Sequence, residues 1–179
     1  MSLMEYNNAQ RLGKKQYADD LVKNAPLFLP VLDEIIKAGT YAATGRNKQS
    51  PIILAITNRQ VRDELARLNA KLLGMDENTD PFYNAPTVLV VLAKKDVNTR
   101  VYDGSLVMGN LMLAASSLGI GSCWVHRAKE EFELPEGKRI LQSLGITDEY
   151  EGVGHCILGY PQTTSKVKPR KDNWVFYIK

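Results

Sequence analysis

Tyr41-Ala42-Ala43-Thr44-Gly45-Arg46-Asn47-Lys48-Gln49-Ser50-Pro51, running directly into Ile52-Ile53-Leu54-Ala55-Ile56, is the stretch on which the reading of this chain turns. A glycine-containing polar turn feeds an apolar run short enough to be a buried strand, and binding residues are often carried on such turns. Thr44, Asn47 and Gln49 bring a hydroxyl and two carboxamides. These uncharged groups can donate and accept at the edge of a flat heteroaromatic ring. A hydrophilic loop joining a helix to a strand fits the same residues equally well, so the decision falls to the rest of the chain.

On the N-terminal side, Pro30 opens a segment with Val31, Leu32, Ile35 and Ile36 at helical spacing, and Gly39 is placed to end it. On the C-terminal side, Thr57-Asn58-Arg59-Gln60 has the capping-box form, and Val61, Leu65, Leu68 and Leu72 make an apolar stripe that stops at Gly74. Residues 75–84 are polar and turn-rich, and Ala85–Leu92 reads as a strand buried on both faces. Leu106–Leu118 is apolar nearly all round, with small residues interspersed, so it predicts a helix covered on every side, in part by a second subunit. Ser122–His126 and Gly152–Gly159 supply two more strands, separated by a charged helical pair over 128–144, which makes four core strands. The tail Trp174-Val175-Phe176-Tyr177-Ile178 has strong β-propensity and predicts a terminal strand in need of a sheet edge.

Composition narrows the function classes. With 179 residues, 44% of them hydrophobic, the chain can bury one core, with arms left over to reach a partner. A net charge of +3 with acids and bases interleaved argues against a nucleic-acid or membrane surface. No apolar run approaches the length of a membrane span and no signal-peptide pattern opens the chain, so a cytoplasmic location is expected. Cys123 and Cys156 lack metal-ligand spacing and read as buried thiols. Gly119-Ile120-Gly121 and Gly152-Val153-Gly154 each lack the third glycine of a dinucleotide fingerprint, and no Gly-x-Ser-x-Gly elbow is present.

Four blocks, in order, carry a family resemblance: Gly39–Pro51, Phe82–Val88, Asp103-Gly104-Ser105 through Leu118-Gly119-Ile120-Gly121-Ser122-Cys123-Trp124, and Gly154–Pro161 with Lys168-Pro169-Arg170. From Leu32 to Lys179 the chain resembles the flavin-dependent nitroreductase family. The resemblance implies an α+β fold, a three-layer sandwich whose central, mainly antiparallel sheet is flanked by helices, with a C-terminal strand exchanged in a homodimer. It implies a single domain over 1–179, with 1–30 an atypical N-terminal arm and 162–179 a C-terminal extension. It further implies two FMN molecules at the subunit interface, NADH or NADPH as electron donor, and a nitroaromatic, quinone or related small molecule as acceptor, with the flavin carrying the chemistry. No side chain is thereby assigned as an obligatory acid or base.

Residue by residue, Thr44, Asn47 and Gln49 match family positions near the flavin ring. Trp124-Val125-His126-Arg127 falls where the family lines the flavin face, although His126 and Arg127 replace the glycine or Glu-Gly of many members. His126 is the nearby histidine for proton delivery; a polar strand end and a surface charge are the competing readings of His126 and Arg127. Lys168 and Arg170 match a basic pair that reaches the flavin phosphate. The usual N-terminal Arg-Arg-Ser-x-Arg motif is not intact, and its nearest register places Arg11 and Lys15 on two of the cationic positions, where they read equally as a solvated basic run. A non-catalytic flavin-binding or redox-sensing protein, and a specialised flavin reductase or dehalogenase on the same scaffold, are the alternatives.

Overall fold

The run that begins at Val88 becomes the centre of a four-stranded sheet, because its side chains are apolar on both faces and helices are available to cover each. The computed structural model describes residues 27, 29–76, 78–161 and 168–179. In chain order these hold α1 (Leu29–Thr40), a 3-10 turn (Gly45–Asn47), β1 (Pro51–Ile56), α2 (Arg59–Leu72), β2 (Thr87–Lys94), α3 (Arg100–Ser117), β3 (Gly121–Val125), α4 (Ala128–Glu133), α5 (Pro135–Ser143) and β4 (Tyr150–Gly159). The strand order is β1-β2-β4-β3 and every pairing is antiparallel. β1 and β3 are therefore the two edges.

One face of the sheet packs Leu89, Val91, Cys156 and Leu158 against Leu32 and Ile35 of α1 and Val107, Met108 and Leu111 of α3. The opposite face packs Val88, Val90, Leu92 and Ile157 against Leu65 and Ala66 of α2, Phe132 of α4 and Leu141 of α5. Three layers result, as expected, and Val88–Ala93 is fully buried between them. Each such aliphatic side chain contributes about 1.5–3 kcal/mol by leaving water.

Two local expectations need correction. Asn58, not Thr57, caps α2, its side chain accepting from the N–H groups of Gln60 and Val61. An Asn accepts these bonds as well as a Thr does, and the shift by one residue removes the reciprocal Gln60 contact of a capping box. α3 begins at Arg100 rather than Leu106. Its polar first turn is held by the Asp103 N–H donating to the Thr99 carbonyl at 2.8 Å and by Arg100 donating to Glu151 at 3.1 Å.

Two apolar surfaces are left uncovered. Tyr102, Leu106 and Leu113 form an exposed stripe on α3. Residues 168–179 form no strand within the chain, and Trp174–Ile178 are exposed. The expected strand does not form there, and among the described residues β1 pairs only with β2.

Candidate functional site

The loop from Thr44 to Gln49 is held in an uncommon backbone conformation. Arg46, Asn47 and Gln49 have φ of 53°, 53° and 48°, the left-handed region that non-glycine residues adopt at a cost of order 1–3 kcal/mol each. Such strain persists only where neighbouring contacts over-determine it. The Gly45 N–H donates to Asp103 Oδ1 at 2.9 Å, the Thr99 hydroxyl donates to Asp103 Oδ2 at 2.9 Å, and the Gln49 N–H donates to Thr44 Oγ1 at 3.0 Å. A Cβ on residue 45 would lie 2.5 Å from Thr99 Oγ1, so only glycine lets the loop approach α3 this closely. Asp103 is 3% exposed, a carboxylate buried to clasp a loop.

The clasp assigns roles within the loop. Thr44 Oγ1 accepts from the loop's own backbone, so Thr44 shapes the turn. Asn47 and Gln49 are exposed, and their carboxamides meet at 3.2 Å, Gln49 Nε2 donating to Asn47 Oδ1. Replacing Asp103 with Ala removes the acceptor for both Gly45 and Thr99. Charge-assisted bonds of this kind contribute about 1.5–3 kcal/mol each. We expect Asp103→Ala to lower the urea midpoint and to raise backbone exchange at residues 45–49, whereas Asp103→Asn, which keeps one acceptor oxygen, should lose less than half as much. Equal losses for the two variants would mean that the clasp does not set the loop.

At the other edge, β3 delivers Trp124-Val125-His126-Arg127 into a tight turn before α4. Arg127 has φ 82°, again left-handed without being glycine. Trp124 packs against the α1–α3 side of the core, and its Nε1 is buried beside Gly154, where a Cβ would come within 2.2 Å. His126 is exposed, and its carbonyl accepts from Asn69 Nδ2 at 2.8 Å. Arg127 pairs with Glu130 at 2.8 Å. Burial pushes the Glu130 carboxyl up, but its backbone hydrogen bond and the Arg127 guanidinium outweigh this and hold it below the usual carboxylate value.

The sheet register relates the two loops. Pro51 lies opposite Ala93, Ala93 opposite Glu151, and Val125 opposite His155. The start of β1, the end of β2 and the start of β4 therefore share one end of the sheet, and β3 runs toward that end but stops level with His155, midway along β4. The two loops therefore emerge on opposite edges, about 14 Å apart across three strand spacings and offset along the strands as well. A single chain thus keeps the Asn47 and Gln49 loop apart from the Trp124–Arg127 turn.

Lys168 and Arg170 lie in the exposed C-terminal segment, with Arg170 stacked 5.9 Å over the Trp174 ring. Arg11 and Lys15 lie outside the described residues. A 220 Å³ hollow beside the loop, lined by Arg46, Lys48, Asp96 and Thr99, is small for a nucleotide. A 490 Å³ cavity lined by Lys95, Phe132, Lys138 and Tyr150 contains none of the residues singled out from the sequence. Among the described residues there is no cluster of His, Cys, Asp and Glu able to hold a metal ion, and no helix long and apolar enough to cross a membrane.

Sequence reasoning missed Asp103 as the clasp, although it opens one of the resemblance blocks. It also missed a buried polar set formed by Asn69, Glu131 and His155, each 0% exposed. Nothing in the linear pattern joins three residues so far apart.

The fold is a three-layer α+β sandwich with two polar loops on opposite edges of its sheet. The sequence profile of the Nitroreductase family matches residues 21–160, and the chain belongs to that family. No curated protein matches it. Among solved structures it is similar to a nitroreductase with bound FMN from Bacteroides fragilis NCTC 9343, with a TM-score of 0.82, 23% identity and 100% of both chains covered. A nitroreductase with bound FMN from Desulfitobacterium hafniense DCB-2 gives a TM-score of 0.77 and 21% identity, covering 94% of this chain and 100% of that one. An iodotyrosine deiodinase bound to FMN and 3-iodo-L-tyrosine gives 0.67 and 18%, covering 93% and 100%.

Proposed function

We propose that this protein binds FMN at a site completed by a second copy of the chain, and that it passes reducing equivalents from NADH or NADPH to a nitroaromatic, a quinone or a related small acceptor. The observation that carries this reading is the placement of the two loops on opposite edges of the sheet. A partner can bring its own loop to the turn that a single chain leaves about 14 Å away. The donor set fits an uncharged ring edge: Asn47 and Gln49 present exposed carboxamides on a backbone that Asp103 holds rigid. FMN, when bound, supplies the redox chemistry.

The chain's residues then divide the work. Asn47 and Gln49 orient the ring edge, and the Trp124–Arg127 turn lines its face. Lys168 and Arg170 hold the phosphate, with Arg11 and Lys15 as further cations. His126, exposed at the turn, is placed to deliver a proton to a reduced acceptor. A donor of the NAD(P)H type fits a cytoplasmic enzyme. Reductive dehalogenation is the second reading, and it draws on the likeness to the deiodinase.

The test begins with the visible spectrum of the purified protein, which should show oxidised flavin. Anaerobic NADH or NADPH should bleach it, and a quinone or nitroaromatic should restore it. Protein that binds flavin but stays oxidised with both nucleotides would be a sensor instead, and recovery only with a halogenated phenol would favour the dehalogenase. Arg170→Ala should weaken FMN about 10- to 100-fold and leave riboflavin nearly unchanged, the signature of one lost phosphate contact. Equal losses for both ligands would assign Arg170 to folding.

A further inference from the structure

Polar groups placed deep in an apolar cluster are costly, so where their hydrogen bonds end is informative. Asn69 of α2, Glu131 of α4 and His155 of β4 meet in the core on the α2–α5 side of the sheet, all at 0% exposure. Asn69 Nδ2 donates to Glu131 Oε1, and His155 Nε2 lies 2.8 Å from Glu131 Oε2. The contacts that leave this set run to two adjacent carbonyls. Asn69 Nδ2 also donates to the His126 carbonyl at 2.8 Å, and His155 Nδ1 faces the Val125 carbonyl at 3.4 Å. Both ring nitrogens of His155 thus face oxygen, one on the Glu131 carboxyl and one on the Val125 carbonyl.

Backbone packing acts on the same turn. A Cβ on Gly152 would lie 2.2 Å from the Ala128 carbonyl oxygen, and Phe82, packed 4.9 Å from the His155 ring, closes the other side. Arg127 is held left-handed at the junction. Three elements thus converge on one irregular turn.

We propose that Asn69, Glu131 and His155 are positioning residues that hold the Val125–Arg127 backbone in register against the flavin. The proposal rests on the FMN reading above. The three side chains touch no ligand and act through the turn. Loosening the turn displaces the groups that face the ring, and misplacement by about 1 Å can slow a reaction by up to about 100-fold.

The experiment compares Asn69→Ala, Glu131→Ala and Glu131→Gln with a control, Leu141→Ala, which opens the same apolar cluster without touching the polar set. Each is scored for flavin content, flavin midpoint potential, anaerobic reduction rate and Tm. Asn69→Ala and Glu131→Ala should retain flavin, shift its potential and slow reduction about 10- to 100-fold. Glu131→Gln should recover to within about twofold of the wild-type rate, because a carboxamide of the same length can accept from Asn69 and still hydrogen-bond a ring nitrogen of His155. Leu141→Ala should lose Tm with its potential unchanged. If Asn69→Ala fails to accumulate as folded protein, Asn69→Leu, which keeps the volume and removes the donors, takes its place. An Asn69 variant with wild-type potential and rate overturns the positioning role alone, as does a Leu141→Ala that moves the potential equally. A wild-type chain that takes up no flavin overturns both this proposal and the reading beneath it.

Discussion

Replacing Arg62 with Met is expected to destabilise the fold by about 2–4 kcal/mol, because it leaves the buried Ala85 carbonyl and two half-buried carboxylates without their donor. Arg62 is 2% exposed. Its Nε donates to the Ala85 carbonyl at 3.0 Å, its Nη1 to Asp63 at 3.0 Å, and its Nη2 to Asp80. Asp80 in turn accepts from the N–H groups of Phe82 and Asn84, fixing a turn in which Tyr83 and Asn84 are left-handed at φ 53° and 59°. One guanidinium therefore holds both a helix and the strained lead-in to β2. Against a typical total stability of about 5–15 kcal/mol, the loss should lower the urea midpoint by roughly 2 M. Burial pushes Asp63 up, but the hydrogen bonds from Arg59 and Arg62 outweigh it and hold the carboxyl below its usual 3.8. That share of the stabilisation is complete at neutral pH and fades as the pH falls below about 3.8, so the gap between wild type and Arg62→Met should narrow in acid. A loss under about 1 kcal/mol at pH 7 would show that the pairs are replaceable by packing.

The second large effect concerns association. Leu106→Glu places a charge in the middle of the exposed α3 stripe. If that stripe is the dimer contact, the cost should exceed about 2 kcal/mol, or roughly 30-fold in the dimer dissociation constant. Sedimentation should show the wild type as a dimer at micromolar concentration and Leu106→Glu largely as monomer, with flavin lost in parallel. Removing residues 173–179 should act in the same direction, since Trp174–Ile178 are exposed and β1, at the edge of the sheet among the described residues, offers them a strand to pair with. A wild-type monomer that keeps its flavin would sink the shared-site reading.

Most of the layered fold was legible because its signals are periodic. The Leu65 and Leu68 stripe and the unbroken apolar run of β2 each name an element and the number of faces it buries, whereas the all-round apolarity of 106–118 names a helix of which one face, with Leu106 and Leu113, stays exposed. The start of α3 was not legible, since Arg100–Ser105 is polar and its helicity depends on Asp103 and on Glu151, a residue far away in sequence. Asn47 and Gln49 could be singled out as carboxamides on a glycine-containing turn. Their left-handed backbone could not, because it falls on Arg46 and Gln49 as well as on Asn47, while Gly45, the residue that would announce it, is not left-handed. The buried set of Asn69, Glu131 and His155 is the plainest case. Each residue alone reads as a surface polar group on a helix or an alternating position on a strand, and only the packed fold reveals that they meet.

The separation of the two loops on opposite edges has a genetic consequence. If each pocket takes its loop from one subunit and its turn from the other, a chain damaged in the loop and a chain damaged in the turn can complement each other. In such a hybrid, one pocket collects both defects and the other collects none. Co-expressing Asn47→Ala with a turn variant such as Asn69→Ala should therefore return about a quarter of wild-type turnover from random pairing, although neither homodimer works well alone. A pocket built within one chain admits no such rescue.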